Sequence, residues 1–157
     1  MKRDVRIEVV YQYPVQRVWL ALTDSRELAE WLMANDFQPR LGHKFQFRAK
    51  PQWGWRGIVD CEVIELQEPE RLAYTWQGDP AGPVTVVRWL LDPVPGGTRL
   101  MLEHTGFRGI GGILLSFMLG RGWKRMLRKK IPALLDGQQR QEVSDLNALL
   151  REGRSCI

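Results

Sequence analysis

Hydrophobic and polar residues alternate from Val5 to Tyr11, which is typical of a β-strand buried on one face. Pro14 ends this alternation and suits the first turn of a helix, because its missing N–H needs no partner there. Apolar residues then recur at helical spacing over residues 15–22. A second helical pattern covers residues 28–32, with Ser25 as its candidate N-cap. The first part of the chain therefore predicts one strand followed by two short helices.

The alternation returns between residues 43 and 105, in segments separated by short turns rich in Gly and Pro. Five strand patterns cover residues 43–49, 56–66, 71–77, 84–91 and 99–105. In the second of these, Ile64 and Leu66 shift the parity, which indicates either a bulge or a strand end that is covered on both sides. Short turns between consecutive strands predict an antiparallel meander. With the first strand, the sheet has six strands.

Apolar residues change to helical spacing from residue 113 to about residue 135. This helix is the element long enough to cover a sheet with one apolar face. The predicted fold is α+β: a curved six-stranded antiparallel sheet wraps around a long C-terminal helix, with two short helices between strands 1 and 2. We expect a domain at residues 1–137 and a polar helical tail at 138–157. The apolar stripe of this tail could dock on its own domain, pair with another chain or fray.

Several local motifs occur in an order that resembles a known superfamily. They are PVQRVW at 14–19, LAEWL at 28–32, NDFQP at 35–39 with Gly42, GIV at 57–59, Glu65, PERLAYTW at 69–76, GTRL at 97–100, HTGF at 104–107, and Gly122-Trp123. Together they resemble the helix-grip superfamily of START-like and birch-pollen-allergen-like domains. Within it the chain is most similar to the family of the C-terminal domain of the heat-shock-protein-90 ATPase activator.

The resemblance spans roughly the first 135 residues and implies the helix-grip fold. Members of the superfamily bind lipids, hormones and polyketides, and some cyclise or hydrolyse them, so the fold alone does not decide the activity. The chain departs from the family pattern at residues 113–119, which are more apolar, and in the dense basic run that follows. The tail from residue 138 has no obvious counterpart in the family.

The chain contains seven tryptophans, and many of its aromatic residues face inward by strand parity or helical spacing. This pattern is typical of an apolar cavity with few polar anchors, although some of these side chains must form close-packed core. The expected cavity residues are Phe45, Phe47, Cys61, Tyr74, Trp76, Trp89, His104, Leu119, Trp123 and Leu127. Trp53 and Trp55, as loop tryptophans, are expected at its entrance, and Asp36 is placed there by resemblance and parity.

Catalytic and metal chemistry have little support in the sequence. Its two histidines are His43 and His104, and neither has an acidic pair at ligand spacing, so we expect no metal and no cofactor. His104 shares a strand face with apolar residues and is either a ligand contact, an acid–base group or a hydrogen-bonded structural histidine. The last interpretation is favoured, because a lone histidine rarely makes a site. Cys61 is interpreted as a small buried hydrophobe.

The net charge of +5 is too small to indicate nucleic-acid binding, and no nucleic-acid partner is expected. Residues 121–130 nevertheless concentrate basic side chains without an acid. Residues 113–130 form either an ordinary helix, with one face buried and the other solvated by Lys and Arg, or an interfacial segment attracted to anionic lipid. The first interpretation is favoured, so no membrane contact is expected.

The cellular location is expected to be cytoplasmic. The sequence contains no apolar run of the length of a signal peptide or a membrane span. Cys61 and Cys156 show no metal spacing and are not expected to form a disulfide, which is usual in a reducing compartment.

The leading hypothesis is a protein that binds a small hydrophobic or aromatic ligand, such as a lipid or polyketide, between the sheet and the long helix. Binding is favoured over catalysis because catalytic residue types are scarce. Two alternatives stay open: a co-chaperone-like module that contacts another protein, and an enzyme of the polyketide cyclase or dehydratase type that uses His104 and an acid at the cavity mouth.

Overall fold

The computed structural model describes residues 3–155, and Cys156 lies outside them. The strands are β1 (Val5–Tyr11), β2 (Ala34–Asn35), β3 (Lys44–Arg48), β4 (Ile58–Gln67), β5 (Arg71–Trp76), β6 (Thr85–Val94) and β7 (Gly97–Thr105). The helices are α1 (Val15–Thr23), α2 (Ser25–Trp31), α3 (Gly109–Arg125) and α4 (Ile131–Ser155). A π-helical turn, Met126–Lys130, joins α3 to α4, so that they form one continuous long helix.

The seven strands form one antiparallel sheet in the order β1-β7-β6-β5-β4-β3-β2. The chain thus has the predicted α+β helix-grip fold, with a curved sheet around a long C-terminal helix, but with seven strands instead of six. The additional strand is β2, in which Ala34 and Asn35 pair with Arg48 and Phe47 of β3. Two residues are too few to show an alternation, so the sequence indicated no strand here.

Helix α2 begins with a different cap from the one predicted. The side chain of Asp24 accepts hydrogen bonds from the backbone N–H groups of Arg26 and Glu27, at 2.9 and 3.1 Å. Asp24 is therefore the N-cap, and its carboxylate also lies at the positive end of the helix dipole. Ser25 instead donates its hydroxyl to Asn35, which ties the start of α2 to β2.

The parity shift in β4 is a bulge. Val63 pairs with Tyr74 and Glu65 pairs with Ala73, so the register changes between the two pairs. A bulge increases the local twist of a strand. The shift therefore contributes to the curvature with which the sheet surrounds the helix.

The two faces of the sheet differ in polarity. On the convex face, ion pairs join neighbouring strands, such as Arg6 with Glu103 at 3.2 Å and Arg99 with Glu8 at 3.3 Å. The concave face is apolar, and the long helix covers it. The buried side of this helix consists of Trp123, Leu127, Ile131, Leu134 and Leu135.

The π-helical turn is bonded to the edge strand of the sheet. The hydroxyl of Tyr11, at the end of β1, donates a hydrogen bond to the backbone carbonyl of Leu127. Because a π-helical turn interrupts the regular α-helical bonding, its carbonyl groups can take partners outside the helix. This contact fixes the middle of the long helix against β1.

The helix α4 runs without a break from the buried Ile131 into the polar tail. Gln138 accepts a hydrogen bond from Arg17 at 2.8 Å, whereas the side chains at 139–153 are exposed. The apolar side chains of the tail are therefore exposed and not docked on their own domain; they are Val143, Leu146, Leu149 and Leu150. Within residues 3–155, no helix combines the length and the apolar character needed to cross a membrane.

Removal of residues 142–157 is expected to change the free energy of unfolding by less than about 1 kcal/mol, because the described side chains among them bury little surface. Removal of residues 134–157 is the control. It deletes the buried Leu134 and Leu135 and should cost at least about 4 kcal/mol. Chemical denaturation followed by tryptophan fluorescence measures both. A large loss from the shorter truncation would place the tail within the folded core.

Candidate functional site

A continuous cluster of aromatic side chains lies between the concave face of the sheet and the long helix. Neighbouring ring centroids are 5.1 Å apart for Phe37 and Phe45, 5.3 Å for Phe45 and Phe47, 5.5 Å for Phe47 and Trp76, 5.4 Å for Trp76 and Trp123, 5.6 Å for Trp89 and Trp123, and 5.8 Å for Trp31 and Trp89. Most of these pairs meet edge to face, a favourable geometry for aromatic rings. The cluster links β3, β5, β6 and α2 to α3.

The structure brings the predicted cavity residues together. Nine of them are buried: Phe45, Phe47, Cys61, Tyr74, Trp76, Trp89, His104, Trp123 and Leu127. Leu119 is half-buried at the edge of the same core. Strand parity and helical spacing thus located one contiguous interior, in which the rings pack directly against one another. The role of these residues in ligand binding stays a prediction.

The three residues predicted at the entrance have different surroundings. Asp36 is exposed and accepts a hydrogen bond from the backbone N–H of Gln46 at 2.8 Å, beside β3. Trp53 is fully exposed, at 103%, in the loop between β3 and β4. Trp55, in the same loop, is half-buried against the core. Of the two loop tryptophans, Trp55 is therefore the one that packs on the interior.

His104 joins the sheet to the long helix through both of its ring nitrogens. Its Nε2 lies 2.7 Å from the hydroxyl oxygen of Thr85, and that hydroxyl donates to the carbonyl of Trp76 at 2.9 Å. The Thr85 oxygen therefore accepts a hydrogen bond from the N–H at Nε2. On the other side of the ring, Nδ1 accepts the indole N–H of Trp123 at 3.1 Å. These bonds define a neutral histidine with a single tautomer.

The interior disfavours charge on every titratable group in it. Burial lowers the pKa of His104 to about 3, because the imidazolium would lose its hydration. Burial likewise raises the pKa of the Tyr74 hydroxyl and that of the Cys61 thiol far above their usual values, and the charges of Asp60 and Asp36 raise the latter further. Near neutral pH all three groups are uncharged.

Tyr74 has hydrogen-bonding capacity to spare. Its hydroxyl accepts the indole N–H of Trp89 at 3.0 Å. Within residues 3–155, no hydrogen bond in which this hydroxyl is the donor is described. Its own proton is thus available inside an apolar environment, where a hydrogen bond is strong. An aromatic interior with a hydroxyl proton that is free to donate suits an apolar molecule that carries a hydrogen-bond acceptor.

A surface groove of about 670 Å³ lies between the end of β1 and the long helix, outside the aromatic interior. It is lined by Val9, Val10, Tyr11, Gln12, Tyr13, Leu127, Arg128, Pro132, Asp136 and Gln139. The hydroxyl of Tyr13 contacts Asp136 and Gln139 at one end of it. Leu127 is the one predicted cavity residue among these. Sequence analysis missed the groove because its two walls come from opposite ends of the chain.

Two further interior residues were not predicted as part of the site. Thr85 belongs to the same strand face as Trp89, so its parity could have identified it. Phe107 lies with its ring centroid 4.5 Å from that of His104 and is completely buried. It follows the last strand, in a glycine-rich connection that has no periodic pattern, so no sequence signal indicated its position.

The family model described as Activator of Hsp90 ATPase homolog 1-like protein matches residues 12–136. The chain belongs to this family. A crystal structure of protein MLL2253 from Mesorhizobium loti is similar at 37% sequence identity, with a TM-score of 0.76, over 85% of this chain and 97% of that one. The family match begins just after β1 and includes the other six strands, the two short helices and the buried part of the long helix.

Two other solved structures are more distant. Protein BH1534 from Bacillus halodurans has 24% identity and a TM-score of 0.70, over 86% of this chain and 99% of that one, and shows the fold alone. DynU16, a protein from the dynemicin biosynthetic locus, has 26% identity and a TM-score of 0.64, over 80% of this chain and 46% of that one. No match was found among the curated proteins.

The free energy of unfolding is expected to decrease as the pH is lowered, because His104 is protonated more readily in the unfolded chain than in the folded protein. Below about pH 6.5 the unfolded chain protonates this residue, whereas the folded protein keeps it neutral down to about pH 3. The unfolded state then binds more protons, so stability decreases as pH falls through this window. Between about pH 6 and pH 5 the loss from His104 should be about 1 kcal/mol. Denaturant titrations at several pH values measure it.

His104→Gln removes the titrating group and should flatten this dependence, although the variant itself is less stable. His43→Gln is the matched control, because His43 is only half-buried, and it should keep the wild-type slope. An unchanged slope in His104→Gln would show that His104 is not held neutral in the folded state.

Proposed function

We propose that the protein binds a small hydrophobic or aromatic molecule between the sheet and the long helix. The observation that carries this proposal is the contiguous aromatic interior, in which burial keeps His104, Tyr74 and Cys61 uncharged near neutral pH. Aromatic and aliphatic walls with a few placed polar atoms are typical of small-molecule sites. Family membership agrees with ligand binding in general.

A ligand would enter beneath α3. Within α3, Ser116 and Trp123 are the buried side chains, and the residues before Trp123 are mostly half-buried or exposed. A helix segment held by so few buried side chains opens at low free-energy cost. Displacement of its first turns would uncover Phe107, which packs on His104, while Leu127 and Ile131 kept the rest of the helix in place.

The available proton of Tyr74 favours ligands with a carbonyl or ether oxygen on an aromatic or aliphatic framework. Polyketides have this combination of groups. The similarity to DynU16, from the dynemicin biosynthetic locus, gives separate support for a ligand of this class.

The alternatives have less support. A cyclase or dehydratase would need a histidine that exchanges a proton with its substrate, but both nitrogens of His104 are bonded to Thr85 and Trp123. Asp36 lies beside β3, and three strands separate β3 from β7, which carries His104. The co-chaperone hypothesis rests on the family description, whereas ligand binding rests on side chains that the structure brings together.

The proposal includes a cytoplasmic location. Cys61, the cysteine within the described residues, is a free and buried thiol, and free thiols are usual in reducing compartments.

Binding is expected to raise the thermal unfolding temperature and quench tryptophan fluorescence when the protein is titrated with polycyclic aromatic polyketides and fatty acids. Ligand at about 100 times its Kd should stabilise the fold by about 2.7 kcal/mol. Absence of any shift or quenching across both classes would contradict the proposal.

The substitution Tyr74→Phe should weaken the binding of a carbonyl-bearing ligand by about tenfold, which is the effect of one lost hydrogen bond. Val143→Ala, at an exposed position of α4, is the control and should bind normally.

The position of the ligand is tested by filling the interior. Cys61→Leu adds volume beneath the helix and should reduce affinity at least about tenfold, whereas Cys61→Ala removes the thiol without adding volume and should bind normally. Val10→Glu alters the surface groove instead. If Val10→Glu abolishes binding and Cys61→Leu does not, the ligand occupies the groove and the interior assignment is wrong.

A further inference from the structure

One side of α3 exposes large apolar side chains. Ile110, Leu114, Phe117 and Met118, here called the apolar stripe, are 73%, 62%, 48% and 71% exposed. Sequence analysis predicted that the exposed side of this helix would be solvated by Lys and Arg. That expectation is wrong for the first half of α3, because apolar residues occur on both of its faces and the sheet covers one.

Basic residues continue the same side of the helix. At about 100° per residue, Arg121, Lys124 and Arg125 project in the same general direction as the apolar stripe and follow it within the next two turns. Arg128, Lys129 and Lys130 are exposed in the π-helical turn that comes next. No Asp or Glu occurs in the sequence from residue 104 to residue 135.

These basic side chains keep their charge available. Within residues 3–153, no ion pair that involves residues 121–130 is described. A further cation lies at the stripe itself, where the guanidinium of Arg3 stands 3.5 Å from the ring centroid of Phe117. The exposed apolar surface is therefore bordered by positive charge at more than one place.

We propose that this side of α3 docks onto an anionic lipid surface, with the apolar stripe in the headgroup region and the basic side chains on the lipid phosphates. The stripe spans about 12 Å of helix, and helices that lie in the membrane interface bury their apolar side to a depth of about 5–10 Å. Charge complementarity identifies the partner, because anionic headgroups attract a basic segment that has no acid within it.

A second copy of the chain and a nucleic acid are less suitable partners for this side of α3. A second copy docked through the same face would bring two basic segments together without an acid between them, and like charges repel. A nucleic acid would leave the apolar stripe without an apolar partner. This proposal goes beyond ligand binding and does not depend on it, because its residues are on the outer side of the helix.

The test is co-sedimentation of the full chain with vesicles. One set is phosphatidylcholine alone, and the other contains about one third phosphatidylglycerol. The protein is expected to bind the anionic vesicles at least about tenfold more strongly than the neutral ones. Binding should weaken strongly between about 0.05 M and about 0.5 M salt, because salt screens the attraction. Equal partitioning to both vesicles, or binding to neither, would overturn the proposal.

Two variants separate the apolar and basic contributions. Leu114→Gln with Met118→Gln keeps the net charge and should lower binding about tenfold. Arg121→Gln with Lys124→Gln and Arg125→Gln should lower it at least about tenfold. The matched controls alter exposed residues elsewhere: Leu41→Gln with Leu149→Gln, and Lys44→Gln with Lys50→Gln and Arg71→Gln. Both controls should bind close to the wild type.

Two further outcomes would also overturn the proposal. If the apolar variant binds like the wild type, the attraction is electrostatic and the stripe is not inserted. If light scattering shows a dimer that the apolar variant abolishes, and vesicles do not bind, the stripe contacts a second copy. Circular dichroism and the midpoint of thermal unfolding establish that each variant is folded.

Discussion

The architecture depends on one constraint: a single curved sheet has to cover its apolar concave face, and the long helix does so together with α1 and α2. Trp123 is the central contact, because its ring packs on Trp76 and Trp89 and its indole N–H bonds to His104. The indole needs a hydrogen-bond acceptor when it is buried, and a neutral histidine in the last strand provides one. These contacts fix how closely the helix packs against the concave face of the sheet.

The same helix has different roles along its length. Its middle, around Trp123 and Leu127, is core, and the Tyr11 hydroxyl bonds it to the edge strand. Its first turns contribute only Ser116 to the buried side chains, so this segment is less tightly packed than the middle. The apolar stripe on these turns faces outward, so that a contact at the surface and an opening above the interior would involve the same short segment.

Much of the fold and of the candidate interior was readable in the sequence because both depend on periodicity. Alternation in β3, β5 and β6 placed Phe47, Trp76 and Trp89 on one face, and helical spacing directed Trp123 toward them. The bulge in β4 was visible as a change of parity. Asp24 and β2 were missed for local reasons: two neighbouring residues can each cap a helix, and a strand of two residues has no period.

By itself the sequence determined the order of all elements except β2, most of the inward aromatic residues and the family, since each follows from local spacing and motifs. Tertiary structure alone decided which face of α3 is covered, which groups bond to His104, and where the groove opens. These features join residues far apart in the chain, such as Tyr13 with Asp136. A helix with apolar residues on both sides does not indicate which side the sheet will cover, because the choice depends on the shape of the concave face and on the length of the connection that precedes the helix.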